Sequence, residues 1–193
     1  MHKEEDRREQ SRKEDYARVL DYLPTGKSFS RNPEPLVQLI GESYFTLLEA
    51  MPKIGISLNL NERVYIGNTE NREKISIIKR RISYDELTQT ALTQLYTSIR
   101  DIVASNEARF VNFYNTAPAI NMREHSLELL PGIGRKLANK IIEEREKKPF
   151  ESFKELENRT GIPDPIKPVV ERVVQELKGN EKLYLFVNPF IKR

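Results

Sequence analysis

The hydrophobic pattern of this chain changes its period near Ser83, and that change limits the fold more than any other feature. From Tyr16 to Ser83, short apolar runs rich in β-branched residues alternate with Pro, Gly and polar turns, a pattern typical of strands. Beyond Ser83, apolar residues recur at steps of three and four, a pattern typical of amphipathic helices. The sequence therefore predicts an α+β protein in which strands precede helices.

The strand-rich region, residues 16–83, contains four or five predicted strands. Tyr16–Leu23 and Lys74–Ser83 each predict one strand, and Leu36–Glu49 predicts a hairpin or one long bent strand. Ile56–Gly67 predicts a further strand with a polar turn. Because closing such a sheet removes its exposed edges, we expect a small antiparallel β-barrel.

A helical linker is predicted over residues 84–120. Ser83-Tyr-Asp-Glu86 has the spacing of a capping box, and the apolar residues behind it predict an amphipathic helix of about five turns. A second helix is predicted over Glu107–Tyr114, before Pro118. These helices would connect and support the two halves of the chain.

Residues 121–181 predict four short helices separated by tight turns. Asn121–Glu124 forms a second capping-box pattern before the first of them. The other three are predicted over Arg135–Lys147, after the cap at Ser152–Glu155, and over Pro168–Lys178. Short helices in such close succession favour one compact all-α unit.

The two ends of the chain differ in character. Residues 1–15 are almost entirely charged, with both signs mixed, which predicts a flexible tail. Residues 182–193 include KLYLFV, which is apolar on both faces and predicts a buried strand. Since the helical unit has no other strand, we expect this one to return to the barrel, where it adds a strand or packs between barrel and helices. The alternative is an independent tail that dimerises.

The sharpest local motif is Leu130-Pro-Gly-Ile-Gly-Arg-Lys136, directly before the helix that contains Lys140. Pro131 discourages continuation of the preceding helix, and the two glycines permit a tight turn. Ile133 can point into the core while the amides at the start of the next helix face outward. A phosphate suits such a site, and Arg135, Lys136 and Lys140 would add charged contacts.

This motif closely resembles the helix-hairpin-helix family, whose members mostly bind the DNA or RNA backbone without sequence specificity. The following FESFKELENRTGI resembles the second repeat of tandem helix-hairpin-helix domains, so the resemblance spans residues 121–177. It implies nucleic-acid contacts at Gly132, Ile133, Gly134, Arg135, Lys136 and Lys140. The second hairpin departs from the pattern at Pro163 and Asp164, so we interpret it as structural.

The strand-rich region resembles an OB-fold through the segment NERVYIG. OB-folds bind single strands with stacking aromatics and basic side chains. The candidate residues here are Arg63, Tyr65, Lys79, Arg80 and Arg81. Two alternatives stay open: Tyr65 belongs to the core, and the Lys79–Arg81 run only protects an edge strand from pairing.

Composition excludes several kinds of chemistry. The absence of Cys excludes disulfides, thiolate zinc sites, Cys-ligated iron–sulfur clusters and thiol nucleophiles. With two His, a histidine-rich metal site or a Ser-His-Asp triad is not expected, although a carboxylate site for magnesium stays open. No cofactor or metal is predicted. The charged N-terminus and the lack of a long apolar run favour a cytoplasmic protein without a membrane partner.

LPGIGRK also resembles the hairpin of endonuclease III-like glycosylases, where a lysine at the Lys136 position is the nucleophile. Those enzymes need a downstream carboxylate, but this chain has Lys154 at that spacing and lacks the cluster cysteines. We therefore interpret Lys136 as a phosphate contact and predict no catalytic residue.

Together these features predict a non-catalytic protein that binds nucleic acid largely independently of sequence. The chain as a whole resembles an uncharacterised archaeal family that is predicted to bind nucleic acid, and this resemblance slightly favours RNA over DNA. The net charge is only +3, from 32 basic and 29 acidic residues, so any basic surface must be local. The alternatives are a protein–protein interaction module of a larger assembly, and a nuclease or glycosylase.

Overall fold

The computed structural model describes residues 13–26 and 34–189, which contain five β-strands and five α-helices. The strands are β1 (Tyr16–Leu23), β2 (Leu36–Gly41), β3 (Leu47–Pro52), β4 (Arg63–Tyr65) and β5 (Ile75–Arg81). The helices are α1 (Gln89–Ser105), α2 (Glu107–Thr116), α3 (Arg135–Lys147), α4 (Phe153–Thr160) and α5 (Ile166–Lys178). The described residues divide into two compact units, one formed by those within 13–98 together with 176–189, and one formed by 99–175. The predicted α+β class is confirmed.

The five strands form one curled antiparallel sheet, a half-barrel, in the order β4-β1-β2-β3-β5. Strands β1 to β3 follow one another as neighbours and β4 returns beside β1, which is the order of a Greek key. The register of β1 against β2 shifts between Val19 and Asp21. An extra residue of this kind increases the local twist of a sheet and helps it to curl.

The core of the half-barrel follows the two-residue period of its strands. Alternate residues of β1, β2 and β3 point to the inner face, where they meet apolar residues of β4, β5 and the connecting loops. The buried cluster consists of Ala17, Val19, Val37, Leu39, Leu48, Ala50, Leu58, Val64, Ile66 and Ile75. Every residue of β2 is buried, so this strand is covered on both faces.

The outer face of β2 is covered partly through polar contacts of Gln38, which is fully buried. Its amide nitrogen donates to Glu49 Oε1 at 3.2 Å and to the Glu86 carbonyl at 3.0 Å, and its oxygen accepts from Thr88 N–H at 2.9 Å. All hydrogen-bonding atoms of this amide therefore have partners, which removes most of the cost of burying it.

Two details of the predicted strand region are corrected. Only Arg63–Tyr65 of the 56–67 segment is a strand, because the chain turns at Asn61, whose φ is +62°. The Ser83–Glu86 capping box caps a single 3-10 turn, whereas helix α1 is capped by Thr88, whose Oγ1 accepts from Ala91 N–H at 3.1 Å.

The predicted strand at Lys182–Val187 is wrong, because these residues form no strand. The buried Glu176 carboxylate accepts hydrogen bonds from three successive backbone amides, those of residues 185, 186 and 187, at 2.7–3.0 Å. These amides are therefore not available to a strand ladder. The segment still contacts the half-barrel, since Asn188 N–H donates to the carbonyl of Tyr44, in the loop between β2 and β3, at 3.2 Å.

Most of the predicted 1–15 tail lies outside the described residues, but Glu14 is buried and belongs to the fold. Its carboxylate accepts from the backbone amides of Ser43, Tyr44 and Thr46 at 2.7, 2.9 and 3.1 Å. Gly41 packs so closely on this carboxyl that a Cβ at that position would overlap it. The expectation of a solvated tail is therefore wrong at Glu14.

Residues 99–175 form the helical unit. Helices α2, α3 and α4 pack on one another around apolar residues that their sequence periods place on one face. The buried residues of these helices and of the turn before α3 include Phe110, Val111, Tyr114, Leu127, Leu130, Ile133, Ala138, Ile141, Phe153 and Leu156. Helix α3 has the predicted bounds, and α4 is capped as predicted by Ser152, whose Oγ accepts from Glu155 N–H at 3.1 Å.

The capping box predicted at Asn121–Glu124 lies four residues later in the structure, at His125–Glu128. The element before the Pro131-Gly132 turn is a 3-10 turn over Ser126–Leu129, and its cap is His125. The His125 Nδ1 accepts from Leu127 N–H at 3.1 Å, while Glu128 Oε1 accepts from His125 N–H at 3.1 Å. An imidazole nitrogen can accept in this way only when it is unprotonated.

This cap makes the stability of the fold depend on pH. Burial and the nearby Arg145 lower the pKa of His125 below its usual value, and Glu128 partly opposes them. A lowered pKa means that the folded protein binds fewer protons, so the contribution of His125 is complete above the unfolded-state pKa of about 6.5. It is lost as the pH falls through the lower folded-state pKa.

As the pH falls from above about 6.5 to below the folded-state pKa of His125, we expect the free energy of unfolding to fall by about 1 kcal/mol, because the cap is lost. Urea denaturation at a series of pH values measures it. His125→Asn retains a capping oxygen that does not titrate, and its unfolding free energy should lack this step. An equal step in both proteins would contradict the assignment.

No helix among the described residues has both the length and the apolar character needed to cross a membrane.

Candidate functional site

The Gly132–Gly134 turn is an exposed backbone loop on a buried anchor. Ile133 is 3% exposed, and its N–H donates to the Leu130 carbonyl at 3.0 Å. Gly132 has a φ of +82°, which side chains other than glycine rarely tolerate. Both glycines are exposed, and a Cβ at either position would meet no atom within 4 Å. The buried isoleucine therefore fixes a turn whose backbone faces solvent.

Helix α3 begins directly after this turn, with Gly134 as its N-cap. Because glycine has no side chain, no side-chain oxygen caps the first amides, and the first turn of the helix contains no acidic residue. The first backbone bond of the helix runs from Ala138 N–H to the Gly134 carbonyl at 2.9 Å. The amides ahead of it, with the positive end of the helix dipole, form an anion-binding geometry.

The three predicted basic residues lie within the first six residues of α3. Arg135 is exposed, and its Nη2 donates to the Arg123 carbonyl at 2.7 Å. Lys136 is exposed and has no ion-pair partner among the described residues. Lys140 lies 3.5 Å from Glu144, a residue that Lys147 contacts more closely, at 2.7 Å. Lys147 and then Arg159 hold the pKa of the Glu144 carboxyl at about 2.

The second hairpin contains its own anion. Asp164 Oδ1 accepts from the first amides of α5, those of Ile166 and Lys167, at 3.1 and 3.3 Å. Asp164 Oδ2 accepts from Arg100 Nη1 at 2.9 Å. A carboxylate therefore occupies the place that a phosphate would take at a helix start. The first amides of α5 are therefore already hydrogen-bonded to a side chain, whereas Gly134 supplies no such side chain at the start of α3.

On the sheet, Arg63 and Tyr65 lie together with Tyr16, which the sequence analysis did not select. The Arg63 guanidinium stacks 3.5 Å from the centre of the Tyr16 ring and also pairs with Glu42 at 2.9 Å. The Tyr16 and Tyr65 rings meet edge to face with their centres 5.2 Å apart. Tyr16 faces Tyr65 across the β1–β4 pairing, so correct strand pairing was the signal that could have found it.

Tyr65 is only partly buried, and its hydroxyl oxygen accepts from Asn68 N–H at 3.1 Å. Tyr65 is therefore not a fully buried core residue, which was the alternative to a ligand contact. Tyr16, at the start of β1, is 38% exposed. These side chains form an aromatic–guanidinium cluster, Tyr16, Arg63 and Tyr65, at one edge of the sheet.

The run Lys79–Arg81 forms no free basic patch, because each residue has a partner. Lys79 pairs with Glu34 at 2.7 Å. Arg80 pairs with the buried Glu49 at 2.9 Å and with Glu86 at 2.6 Å. Arg81 donates to the Asn188 carbonyl at 2.9 Å.

These contacts perturb the titration of Glu86. A hydrogen bond from Ser83 N–H and another from Arg80 hold the pKa of the Glu86 carboxyl at about 2. Arg80 is therefore a structural ion-pair residue as much as a candidate ligand contact. Among the described residues, no three His, Asp or Glu side chains group closely enough to hold a metal ion.

The family described as "Protein of unknown function (DUF655)" matches residues 13–188. This chain belongs to that family. "Uncharacterized protein MJ0038" of Methanocaldococcus jannaschii is 47% identical to it over 176 residues, which cover 90% of this chain and 80% of that protein. The crystal structure of Af1531 from Archaeoglobus fulgidus, of the same family, superimposes with a TM-score of 0.84 at 43% identity. The superposition covers 91% of this chain and 100% of that one.

The resemblance to an uncharacterised archaeal family is thereby confirmed. The names of these relatives state no ligand or reaction, so the function has to be argued from the geometry of the site.

Proposed function

We propose that this protein is a non-catalytic nucleic-acid-binding protein that holds the sugar–phosphate backbone largely independently of sequence. The contact is the Gly132–Gly134 turn with the first amides of α3, supported by Arg135, Lys136 and Lys140. In this proposal, residues 121–177 form a tandem helix-hairpin-helix domain in which only the first hairpin binds. RNA and DNA are both candidates, and the family resemblance slightly favours RNA.

The observation that carries the proposal is the contrast between the two hairpins. At the second one, the Asp164 carboxylate already accepts from the first helical amides. At the first one, the N-cap is a glycine, the first turn lacks acidic residues, and three exposed basic residues surround it. Phosphate oxygens accept the same hydrogen bonds as a carboxylate, and backbone amides carry no base preference.

The curled sheet supplies the second surface of the proposal. Its β4-β1-β2-β3 order is consistent with an OB-like barrel, which binds single strands on a stacking surface. The aromatic–guanidinium cluster is the part of the sheet best suited to that role, since it combines two partly exposed tyrosines with a guanidinium group. The run Lys79–Arg81 adds basic side chains to this surface, although Lys79 and Arg80 pair with carboxylates and Arg81 donates to a backbone carbonyl.

A salt titration tests the proposal. Backbone binding releases counterions, and three basic contacts predict a slope of about −2.7 in log K against log salt on duplex DNA. Affinity should therefore fall about 40-fold between about 50 and 200 mM salt. Fluorescence anisotropy with labelled RNA and DNA, single-stranded and duplex, measures it.

Lys136→Ala should reduce the magnitude of this slope by about one. Lys154→Ala is the matched control, since Lys154 is exposed and already paired with Glu157 at 3.0 Å. Absence of binding to all four probes at low salt would contradict the proposal. A Lys136→Ala slope equal to that of the wild type would remove Lys136 from the site.

A further inference from the structure

A second contact lies beside the Gly132–Gly134 turn, at the loop of residues 119–125, here named the Met122 tip. Met122 is 104% exposed relative to a reference side chain, so it contacts almost no other part of the protein. Within residues 99–175, all of which are described, it is the only large apolar side chain that is exposed. A protein-docking surface needs several apolar side chains in one patch, and the Met122 tip offers one.

The Met122 tip is held by its own hydrogen bonds. Ala119 and His125 form an antiparallel bridge that closes its base. Within the loop, Ile120 N–H donates to the Glu124 carbonyl at 2.9 Å, and Arg123 N–H donates to Asn121 Oδ1 at 2.8 Å. The backbone that carries Met122 is therefore ordered in advance, and less conformational freedom is lost when the side chain meets a ligand.

The Met122 tip is also joined to the proposed backbone site. Arg135, the first residue of α3, donates from Nη2 to the Arg123 carbonyl at 2.7 Å. One apolar side chain thus projects next to the exposed guanidinium groups of Arg123 and Arg135, with Glu124 as the one exposed acid of the loop. This combination of one apolar projection and flanking cations fits a nucleic acid better than an apolar protein surface.

We propose that Met122 is a wedge that enters between neighbouring base pairs of a duplex while the Gly132–Gly134 turn holds the backbone. Apolar side chains, Met among them, insert between base steps in this way, and they unstack the step and bend the duplex. The inference rests on the proposed function, and it specifies its ligand: a double helix with a step that can open. Both base-paired DNA and base-paired RNA contain base steps of this kind.

The test separates unstacking from binding. A duplex that carries 2-aminopurine at several positions reports unstacking through a rise in its fluorescence, and a fluorescein-labelled copy reports affinity through anisotropy. DNA and RNA duplexes are measured in parallel with the full chain. We expect the wild type to bind and to raise the 2-aminopurine fluorescence of at least one of them.

Met122→Ala should lose most of that fluorescence rise while its affinity changes by less than about threefold, since removing the wedge also removes the cost of unstacking. Ile54→Ala is the matched control, because Ile54 is equally exposed, at 104%, in a turn of the sheet unit. It should change neither measurement.

Binding without a fluorescence rise, or a rise that Met122→Ala retains, would overturn the wedge and leave the proposed function intact. A wild type that shows no anisotropy change with either duplex at low salt would overturn the wedge. If the single-stranded probes also showed none, the proposed function would be overturned as well.

Discussion

Replacing Glu14 by alanine should lower the free energy of unfolding by about 3 kcal/mol, although the residue lies in a segment that resembles a solvated tail. Its carboxylate accepts from three backbone amides in the loop between β2 and β3, those of Ser43, Tyr44 and Thr46. A buried amide without an acceptor costs about 1–3 kcal/mol. Water that enters the truncated site would hydrogen-bond some of the three amides, so the expected loss is smaller than three times that cost. Such a loss is a large share of a typical stability of about 5–15 kcal/mol.

Chemical denaturation of the full chain measures the effect, and two further variants sharpen it. Glu14→Gln keeps one acceptor oxygen, so it should lose the Ser43 bond and retain those to Tyr44 and Thr46, with about half the destabilisation. Glu73→Ala removes an exposed acid and should stay within about 0.5 kcal/mol of the wild type. If Glu14→Ala is no less stable than Glu73→Ala, the three hydrogen bonds do not hold this loop.

The parts of the fold that follow local rules were predictable from sequence. Helix α3 has the predicted bounds because Gly134 and Pro149 interrupt the helical pattern on either side of it. Helix α4 is similarly set by Ser152 and by Gly161, which ends it in the left-handed conformation. In both cases the deciding information lies within a few residues of the helix end.

The parts that depend on distant partners were not predictable. KLYLFV has the apolar pattern of a strand, but its amides donate to Glu176, which lies nine to eleven residues away along the chain. Both Asn121-x-x-Glu124 and His125-x-x-Glu128 have the spacing of a capping box, and His is not among the common caps. Only the tertiary structure decides which of the two the chain uses.

In the candidate site, too, the features set by neighbouring residues were predictable and those set by distant partners were not. The Gly132–Gly134 turn could be selected because its glycines, buried isoleucine and basic residues are consecutive in sequence. The Lys79–Arg81 run could not be judged, since its partners Glu34, Glu49 and Asn188 come from other parts of the chain. Tyr16 was missed for the same reason, because its neighbours are set by the pairing of β1 with β4.

Gly134→Asp should weaken nucleic-acid binding by at least tenfold and at the same time stabilise the fold. Asp is among the best N-cap residues, and a cap in place of glycine is worth a few tenths of a kcal/mol. Gly134 has a φ of −83°, and a Cβ there would meet no atom within 4 Å, so the substitution introduces neither strain nor overlap. Its carboxylate would accept from the first amides of α3, as Asp164 already does at α5.

That carboxylate occupies the position proposed for a phosphate and repels one electrostatically. Loss of the charge-assisted contacts should weaken binding by about 1.5–3 kcal/mol, which is about 10- to 150-fold. Gly134→Ala is the matched control: it adds a Cβ without charge or acceptor, so its affinity should stay close to that of the wild type. Anisotropy at low salt and thermal unfolding of the same samples measure both effects. A Gly134→Asp protein that is more stable and binds as tightly as Gly134→Ala would show that nucleic acid does not use this turn.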